Sequence, residues 1–230
     1  MSKLFLIPNC IAEEGAGPTD HIGPVIAHIR TFFVEEPKSA RRLLKQLNAD
    51  FPLQECKYLD LNEHTSPAQV KEYVALLKNG DAGIISESGV PCVADPGSDL
   101  VFLAHQSNIE IVPLVGPSSI LLALMASGLS GQNFAFNGYL PKDGADRITK
   151  LKVLENRSQY EKQTQIIMDT PYRNNVLFED ILEHCDKKTF LCIACDITGP
   201  EQMINTKTVG DWKKTGLVLP KKPALFIISK

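Results

Sequence analysis

Residues 66–86 read SPAQVKEYVALLKNGDAGIIS, and this stretch decides the class of fold. Ser66 can cap a helix, and Gln69 completes a capping box with it. One apolar stripe then follows at helical spacing, and Gly80 ends the helix: Val70, Tyr73, Val74, Leu77. The apolar run Gly83–Ser86 is typical of a buried strand. A capped helix leading directly into a buried strand predicts one repeat of an α/β fold.

The same alternation continues on both sides of this stretch. We predict further strands at Lys3–Ile7, Thr31–Val34, Lys57–Leu61 and Glu110–Val115, with helices at Ile22–Arg30, Lys38–Asn48 and Gly97–Gln106. The second half is less regular, with helices at Ser118–Ala126, Asp146–Asn156 and Tyr172–Cys185, and strands at Phe134–Leu140, Gln165–Met168, Thr189–Asp196, Met203–Lys207 and Ala224–Ser229. Strands that alternate with helices predict an open, mostly parallel α/β sheet.

Charge divides the chain into two parts. The 230 residues are 22% charged and 43% hydrophobic with a net charge of −3, which excludes disordered and fibrous classes. Residues 1–115 carry 9 basic and 15 acidic side chains, whereas residues 116–230 carry 15 and 12. Between Ile111 and Pro141 there is no charged residue and no histidine. We therefore predict two α/β domains, residues 1–115 and 116–230, with a small-molecule cleft between them.

Nothing in the sequence predicts a membrane segment or a metal site. Prolines and glycines interrupt the uncharged stretch, and the apolar run at residues 4–7 is too short for a signal peptide, so we expect a cytoplasmic protein. The six cysteines fit reduced thiols, and Cys192 and Cys195 are predicted to lie in the core on opposite faces of one strand. The five histidines show no metal-ligand spacing, and we expect no metal.

Three loops follow predicted strands of the first half, where an open parallel sheet binds its ligands. They are Pro8–Pro18, Ser86–Gly97 and Val115–Ser119. In the second loop Gly89 allows close approach of the backbone to a ligand, and Asp95 is predicted to cap the next helix. The chain has neither a Walker loop nor a G-x-G-x-x-G, which argues against ATP, GTP and NAD.

Five short segments carry a resemblance to a known family: SESGVP at 86–91, ADPG at 94–97, VGPSS at 115–119, ASGL at 126–129 and FNGYLP at 136–141. In this order they resemble the tetrapyrrole methylase superfamily. Within it they are most similar to the small-subunit ribosomal RNA cytidine 2′-O-methyltransferases, which read SDAGTP, SDPG, PGPS, ASGL and GFLP. The similarity covers about residues 31–230.

The resemblance implies two α/β domains that bind S-adenosylmethionine between them, and a homodimer. Residues implied to line the cofactor are Pro8, Ser88, Gly89, Val90, Val93, Ser118 and Ser119 from the first domain, and Met168, Asp169, Ile197 and Ala224 from the second. Glu87 and Asp169 are candidate general bases for a ribose hydroxyl. Arg173, after Pro171, is a candidate phosphate contact.

The N-terminal motifs depart from that branch. Its T-P-I-G-N is IPNCI at 7–11, which keeps only the proline, and its A-E-D-T-R is VEEPK at 34–38, with Arg41 the nearest arginine. Glu87 replaces an aspartate and Tyr172 a histidine. Because these positions are expected to meet the acceptor, the cofactor is better supported than the substrate.

The methyl acceptor has three interpretations. The first is a ribose of small-subunit ribosomal RNA, and the second is a tetrapyrrole or another small molecule, favoured by the negative net charge. The third is a non-catalytic relative that only binds the cofactor or a partner. A basic cluster is interleaved with acids and is predicted to be a solvated helix face: Lys142, Arg147, Lys150, Lys152, Arg157, Lys162. Phe134 and Phe136 share one strand face and suit either the core or stacking on a base.

Overall fold

The computed structural model describes residues 2–12 and 21–230, and the chain divides into two compact units, Met1–Ser118 and Ser119–Lys230. Within the described residues each unit contains one five-stranded sheet with helices packed on it. The predicted α/β class is therefore confirmed. Each unit also has apolar cores of its own.

The first unit is built on a fully parallel sheet with the strand order β3-β2-β4-β1-β5. Its strands are β1 (Lys3–Ile7), β2 (Thr31–Val34), β3 (Lys57–Asp60), β4 (Ala82–Ile85) and β5 (Glu110–Pro113). Its helices are α1 (Ile22–Ile26), α2 (Pro37–Leu47), α3 (Pro67–Leu77) and α4 (Ser98–Gln106). The predicted capping box is confirmed, because Ser66 and Gln69 bond reciprocally at the start of α3.

Helices cover both faces of this first sheet. α1 and α2 pack against Phe5 and Phe32 on one face, whereas α3 and α4 pack against Leu4 and Phe33 on the other. β1 leads into α1 and the adjacent β4 leads into α4, so the chain leaves these two strands toward opposite faces. In open parallel sheets, ligands bind at the carboxyl ends of such a strand pair.

The second unit has a mixed sheet with the order β6-β7-β10-β8-β9. Its strands are β6 (Phe134–Tyr139), β7 (Thr164–Asp169), β8 (Phe190–Cys195), β9 (Met203–Thr208) and β10 (Ala224–Ser229). Its helices are α5 (Ser119–Ser127), α6 (Gly144–Tyr160), α7 (Asn174–His184) and α8 (Val209–Trp212). β10 is antiparallel to both β7 and β8, so the mostly parallel prediction holds for the first sheet alone.

Two predicted features of the helices were wrong. Asp95 does not cap α4: Gly97, with φ 124°, occupies the cap position, and no side chain caps this helix. Only glycine readily adopts such a φ, so the backbone rather than a carboxylate sets where α4 begins. α6 is longer than predicted, because the Asp143 side chain accepts hydrogen bonds from the backbone N–H groups of Ala145 and Asp146.

The predicted core position of the two neighbouring cysteines is confirmed. Cys192 belongs to the apolar cluster beneath α5, and Cys195 belongs to the cluster beneath α6 and α7 on the opposite face of β8. Both thiols are fully buried, so neither is placed to chelate an ion with the other. In the described part of the chain, no helix has the length and apolar character needed to cross a membrane.

Candidate functional site

Asn9, two residues after the end of β1, links the loops that follow β1 and β4. Its amide nitrogen Nδ2 donates to the carbonyls of Ser86 at 3.1 Å and Glu87 at 3.0 Å. Its backbone N–H donates to the Gly89 carbonyl at 2.8 Å. Asn9 is only 6% exposed, so these bonds lie out of water and fix the loop positions strongly. The sequence interpretation gave Asn9 no role, although a polar residue two positions after the end of an apolar strand was a signal for it.

The loop after β4 folds as a tight turn. Ser86 Oγ donates to the Gly89 carbonyl at 2.8 Å, and Gly89 has φ +69°. Ser88 Oγ donates to the Ile11 carbonyl at 3.1 Å, which adds a second link to the first loop. Val90 is half-buried and Val93 is 48% exposed. Of the first predicted loop, residues 13–18 lie outside the described residues.

The segment after β5 packs against the loops that follow β1 and β4. A Cβ atom built on Gly116 would lie 2.2 Å from the Pro8 Cβ, which is far too close for two non-bonded carbon atoms. A Cβ on Gly89 would lie 3.3 Å from the Pro117 carbonyl oxygen. Three loops from β1, β4 and β5 therefore converge, and their backbones approach because glycines stand at the contacts. Ser118 and Ser119 follow immediately and are half-buried.

Carboxylates gather at the carboxyl edge of this first sheet. Burial, together with smaller contributions from the charges of Glu35 and Glu87, raises the pKa of Asp95 to about 7. Burial likewise raises the pKa of Glu35, with smaller contributions from Glu87 and Glu63. Glu87 itself is exposed. This edge of the sheet is therefore electrostatically suited to a positively charged ligand.

The second unit brings its predicted residues to one edge of its own sheet. Ala224, which begins β10, is paired in register with Asp169 at the end of β7 and with Cys195 at the end of β8. Met168 and Ile197 pack in the apolar cluster beneath α5, whereas Ala224 belongs to the cluster on the opposite face. The backbone of these residues thus shares one edge, but their side chains are divided between the two faces.

Asp169 and Arg173 form an ion pair at the end of β7. Arg173 Nη2 lies 3.2 Å from Asp169 Oδ2, but its N–H bond does not point at that oxygen, which has no hydrogen-bond partner. The same Nη2 donates to the carbonyls of Leu140 and Pro141, each at 3.1 Å. Asp169 is 4% exposed. Arg173 therefore holds the loop after β6 against β7, and a phosphate would have to compete with these contacts.

The predicted solvated face of α6 needs correction at two positions. Arg147 is buried, and its Nε lies 2.5 Å from Asp180 Oδ2 on α7. Glu155 is also buried, and it accepts hydrogen bonds from the Asp186 backbone N–H and the Thr189 hydroxyl. Arg147 finds its partner Asp180 on α7, and Glu155 finds its partners Asp186 and Thr189 just before β8, pairings that helical periodicity does not reveal. The exposed residues Lys152 and Arg157 keep the predicted position.

Comparison with known protein families identifies the family to which this chain belongs. Residues 25–212 match the family model of the tetrapyrrole (corrin/porphyrin) methylases. The chain belongs to this family. Two solved methylase structures share its fold: uroporphyrin-III-C-methyltransferase from Thermus thermophilus, with a TM-score of 0.56 and 20% identity, covers 100% of this chain and 92% of that one. The methyltransferase CobJ, with a TM-score of 0.61 and 16% identity, covers 98% and 92%.

The methylase family also contains curated relatives of higher identity. Ribosomal RNA small subunit methyltransferase I of Thermotoga maritima is 31% identical over 72% of this chain and 71% of that protein. The Vibrio cholerae protein of the same name is 28% identical over 85% of this chain. The match covers only 65% of the Vibrio protein and 54% of the Pseudomonas aeruginosa one, so this chain spans about two thirds or less of their length.

Within this methylase fold, the predicted site residues lie at two sheet edges, one in each unit. Pro8, Ser88, Gly89 and Glu87 surround the converging loops of the first unit, whereas Asp169 and Arg173 belong to the second. The individual roles of these residues stay predictions. In residues 2–12 and 21–230, no three or more His, Cys, Asp or Glu side chains are grouped to hold a metal ion.

Proposed function

We propose that this chain is an S-adenosylmethionine-dependent methyltransferase whose acceptor is a ribose 2′-hydroxyl in small-subunit ribosomal RNA. The observation that carries the proposal is the convergence of the loops after β1, β4 and β5 at the carboxyl edge of a parallel sheet. Family membership and the names of the relatives support the methyl chemistry and the RNA acceptor.

The first unit fits the positive charge of this cofactor. When bound, S-adenosylmethionine supplies a methyl group on a positively charged sulfonium, next to an amino acid end and a ribose. Burial is the main cause of the raised pKa of Asp95, and repulsion by the carboxylates of Glu35 and Glu87 adds to it. A nearby positive charge would relieve that repulsion and favour their ionised forms. Pro8, Gly89 and Gly116 would keep the surrounding loops close together and rigid.

The second unit fits a ligand that donates hydrogen bonds. Among the described residues, the buried oxygens of this unit that have no hydrogen-bond partner include Thr198 Oγ1 and Asp169 Oδ2, the latter in an ion pair with Arg173. Thr198 directly follows the predicted cofactor residue Ile197 and has φ +65°. Buried oxygens are normally hydrogen-bonded, and leaving one unpaired costs about 1–3 kcal/mol. The amino and hydroxyl groups of the cofactor would satisfy both oxygens.

We propose Glu87 as the group that takes the proton of the acceptor hydroxyl. A general base must reach the proton that it removes, and Glu87 is exposed beside the converging loops. Asp169 is buried and ion-paired, so we assign Asp169 and Arg173 to positioning the loop after β6. Holding acceptor and methyl donor in line then supplies much of the rate enhancement.

We also propose that the protein acts in the cytoplasm, where ribosomal RNA lies, and that it forms a homodimer, as the family resemblance implies. Sedimentation equilibrium checks the second proposal. A monomer at the concentration that supports activity would contradict it.

Calorimetry with S-adenosylhomocysteine, followed by labelled methyl transfer, tests the function. We expect saturable binding, and transfer to small ribosomal subunits that lack the modification but not to a corrin precursor. Glu87→Gln should retain cofactor binding and lose at least about tenfold in kcat, since base catalysis typically contributes that much or more. Absence of binding at millimolar ligand would overturn the cofactor. Transfer to the corrin precursor alone would overturn the RNA acceptor, and binding without any transfer would indicate a non-catalytic relative.

A further inference from the structure

The exposed face of α2 carries a row of positive charge. Lys38, Arg41, Arg42 and Lys45 are all exposed, and their spacing of three and four residues places them on one side of the helix. The helix Pro37–Leu47 contains no acidic residue. Its opposite side is buried in the apolar core of the first unit through Ala40, Leu43 and Leu44. The amphipathic pattern therefore fixes which way the four basic side chains face.

This row is unusual because the surrounding unit is acidic. Residues 1–115 hold 9 basic side chains against 15 acidic ones, and four of those nine basic residues lie on α2. Glu36 caps the helix start and accepts a hydrogen bond from the Ser39 backbone N–H, so one carboxylate adjoins the row. The Arg41 guanidinium lies 4.7 Å from the centre of the Tyr58 ring, which orients it. A concentration of cations against the unit's overall charge indicates a surface with an anionic partner.

The row continues into the candidate site. Arg42 and Gln46, one turn apart, line a surface pocket together with Asn9, Cys10 and Glu87. Glu87 is the proposed base, and Asn9 ties the loops after β1 and β4. The cationic side of α2 therefore borders the place where the acceptor hydroxyl would react. A polymer bound along α2 would lie within reach of that pocket.

We propose that the exposed face of α2 binds the phosphate backbone of the substrate RNA and delivers its ribose to the loops after β1 and β4. This inference rests on the proposed function. Phosphate contacts by Lys and Arg supply most of the sequence-independent affinity for RNA. Arginine also forms paired hydrogen bonds with phosphate oxygens, which suits Arg42 at the rim of the pocket.

Three basic residues of α6 provide a matched comparison. Lys152 and Arg157 are exposed and Lys150 is half-buried, and acidic residues are interspersed among the three. Arg157 is paired with Glu161 at 3.8 Å. The α6 residues belong to the other unit and do not line the pocket formed by residues 9–12, 42, 46 and 87.

The test compares two triple variants of the full chain. Lys38→Gln/Arg42→Gln/Lys45→Gln removes three charges from α2, and Lys150→Gln/Lys152→Gln/Arg157→Gln removes three from α6. Glutamine keeps helix propensity, and calorimetry with S-adenosylhomocysteine verifies that each variant folds and binds cofactor. Binding to small-subunit ribosomal RNA and the KM for methyl transfer are measured from about 50 to 200 mM salt.

We expect the α2 variant to bind RNA about tenfold or more weakly, with a rise in KM and a salt slope reduced by roughly one for each lost phosphate contact. The α6 variant should stay within about twofold of the parent. Arg42→Lys, which keeps the charge but loses the paired hydrogen bonds, should lose less affinity than the α2 triple variant. Parent-like RNA binding by the α2 variant, or an equal loss in both variants, would overturn the inference.

Two further outcomes are distinguishable. If the parent binds cofactor but transfers no methyl group to RNA, the proposed function fails and this inference fails with it. If the parent does methylate RNA and only the α2 inference is wrong, the α2 variant will have the parental KM. Loss of binding to anionic phosphatidylglycerol vesicles, with unchanged RNA binding, would assign the α2 face to a membrane surface and overturn the RNA partner.

Discussion

At the carboxyl edge of the first sheet, backbone groups meet at close quarters, with Gly116 against Pro8 and the Asn9 amide bonded to two carbonyls. At the corresponding edge of the second sheet, charged side chains make the connections, with Arg173 joined to Asp169 and to the carbonyls of Leu140 and Pro141. The first edge depends on glycine, which has no Cβ atom and so lets the backbones approach. The second depends on the ion pair and the hydrogen bonds that Arg173 makes. The same family fold is therefore held at its two sites by different physical means, and the two should fail differently.

Removal of the arginine should have the largest effect. Arg173→Ala would leave the Asp169 carboxylate buried without its partner and free two carbonyls, which we expect to cost about 3–5 kcal/mol in the free energy of unfolding. Arg157→Ala is the matched control, since Arg157 also pairs with a carboxylate four residues away but is half exposed, and it should cost at most about 0.5 kcal/mol. Urea denaturation measures both. Equal losses would show that charge pairing does not determine the second edge.

Adding a methyl group to the first edge should come next. Gly116→Ala forces a Cβ into Pro8, and we expect a loss of about 2–3 kcal/mol together with weaker binding of S-adenosylhomocysteine. Gly80→Ala, in the same unit, meets no atom within 4 Å and should be neutral or slightly stabilising. Thermal unfolding and calorimetry distinguish the two variants. An unchanged melting temperature in Gly116→Ala would mean that the loops can separate at little cost.

Loss of the loop-tying amide should have a smaller effect. Asn9→Ala leaves the Ser86 and Glu87 carbonyls without their shared donor, and we expect about 2 kcal/mol of destabilisation. Asn133 bonds one carbonyl at an exposed position of the second unit, so Asn133→Ala should cost less than about 1 kcal/mol. Hydrogen exchange at Gly89 and Cys10 should accelerate in Asn9→Ala alone. Unaltered exchange there would contradict the role given to Asn9.

The smallest expected effect is a pH dependence of the free energy of unfolding. Its sign should be opposite for Asp95 in the first unit and Asp186 in the second. The pKa of Asp95 is raised to about 7, so the folded state holds a proton that the unfolded state has lost above about pH 4. Because this carboxyl is only half-buried and is partly screened by water, parent stability should fall relative to Asp95→Asn by on the order of 1 kcal/mol as the pH rises from about 4 to 7. The pKa of Asp186 is lowered by its hydrogen bonds to the Lys188 backbone and to Lys230, so its contribution is lost as the pH falls.

Denaturation of Asp95→Asn between about pH 4 and 8, and of Asp186→Asn between about pH 2 and 5, checks these signs. Cofactor binding should weaken the pH dependence due to Asp95, because a positive charge nearby favours the ionised carboxyl. A stability difference between the parent and Asp95→Asn that does not change with pH would show that Asp95 is not perturbed by its surroundings.

Local patterns in the sequence predicted most elements to within about two residues, although α1 ends four residues before its predicted end and α6 four residues after it. β1, β2 and β10 have the predicted bounds, and α3 begins at the predicted capping box. These features depend on neighbours a few residues away, which the sequence displays directly. The prediction failed where a distant partner decided the outcome. Arg147 and Glu155 lie on a helix whose sequence predicts a solvent-exposed charged face. Both are nevertheless buried, because Arg147 forms an ion pair with Asp180 and Glu155 accepts a hydrogen bond from Thr189.

The sequence by itself determined the α/β class, the elements and, through the order of its loop motifs, the methylase family. Tertiary structure alone decided what each loop residue touches. The contacts of Asn9 and Gly116, and the pocket beside the basic side of α2, form only because β1, β4 and β5 lie side by side in the sheet. These three strands are far apart in the chain. Strand order is set by the packing of whole helices on both faces of a sheet, and no local pattern encodes that arrangement.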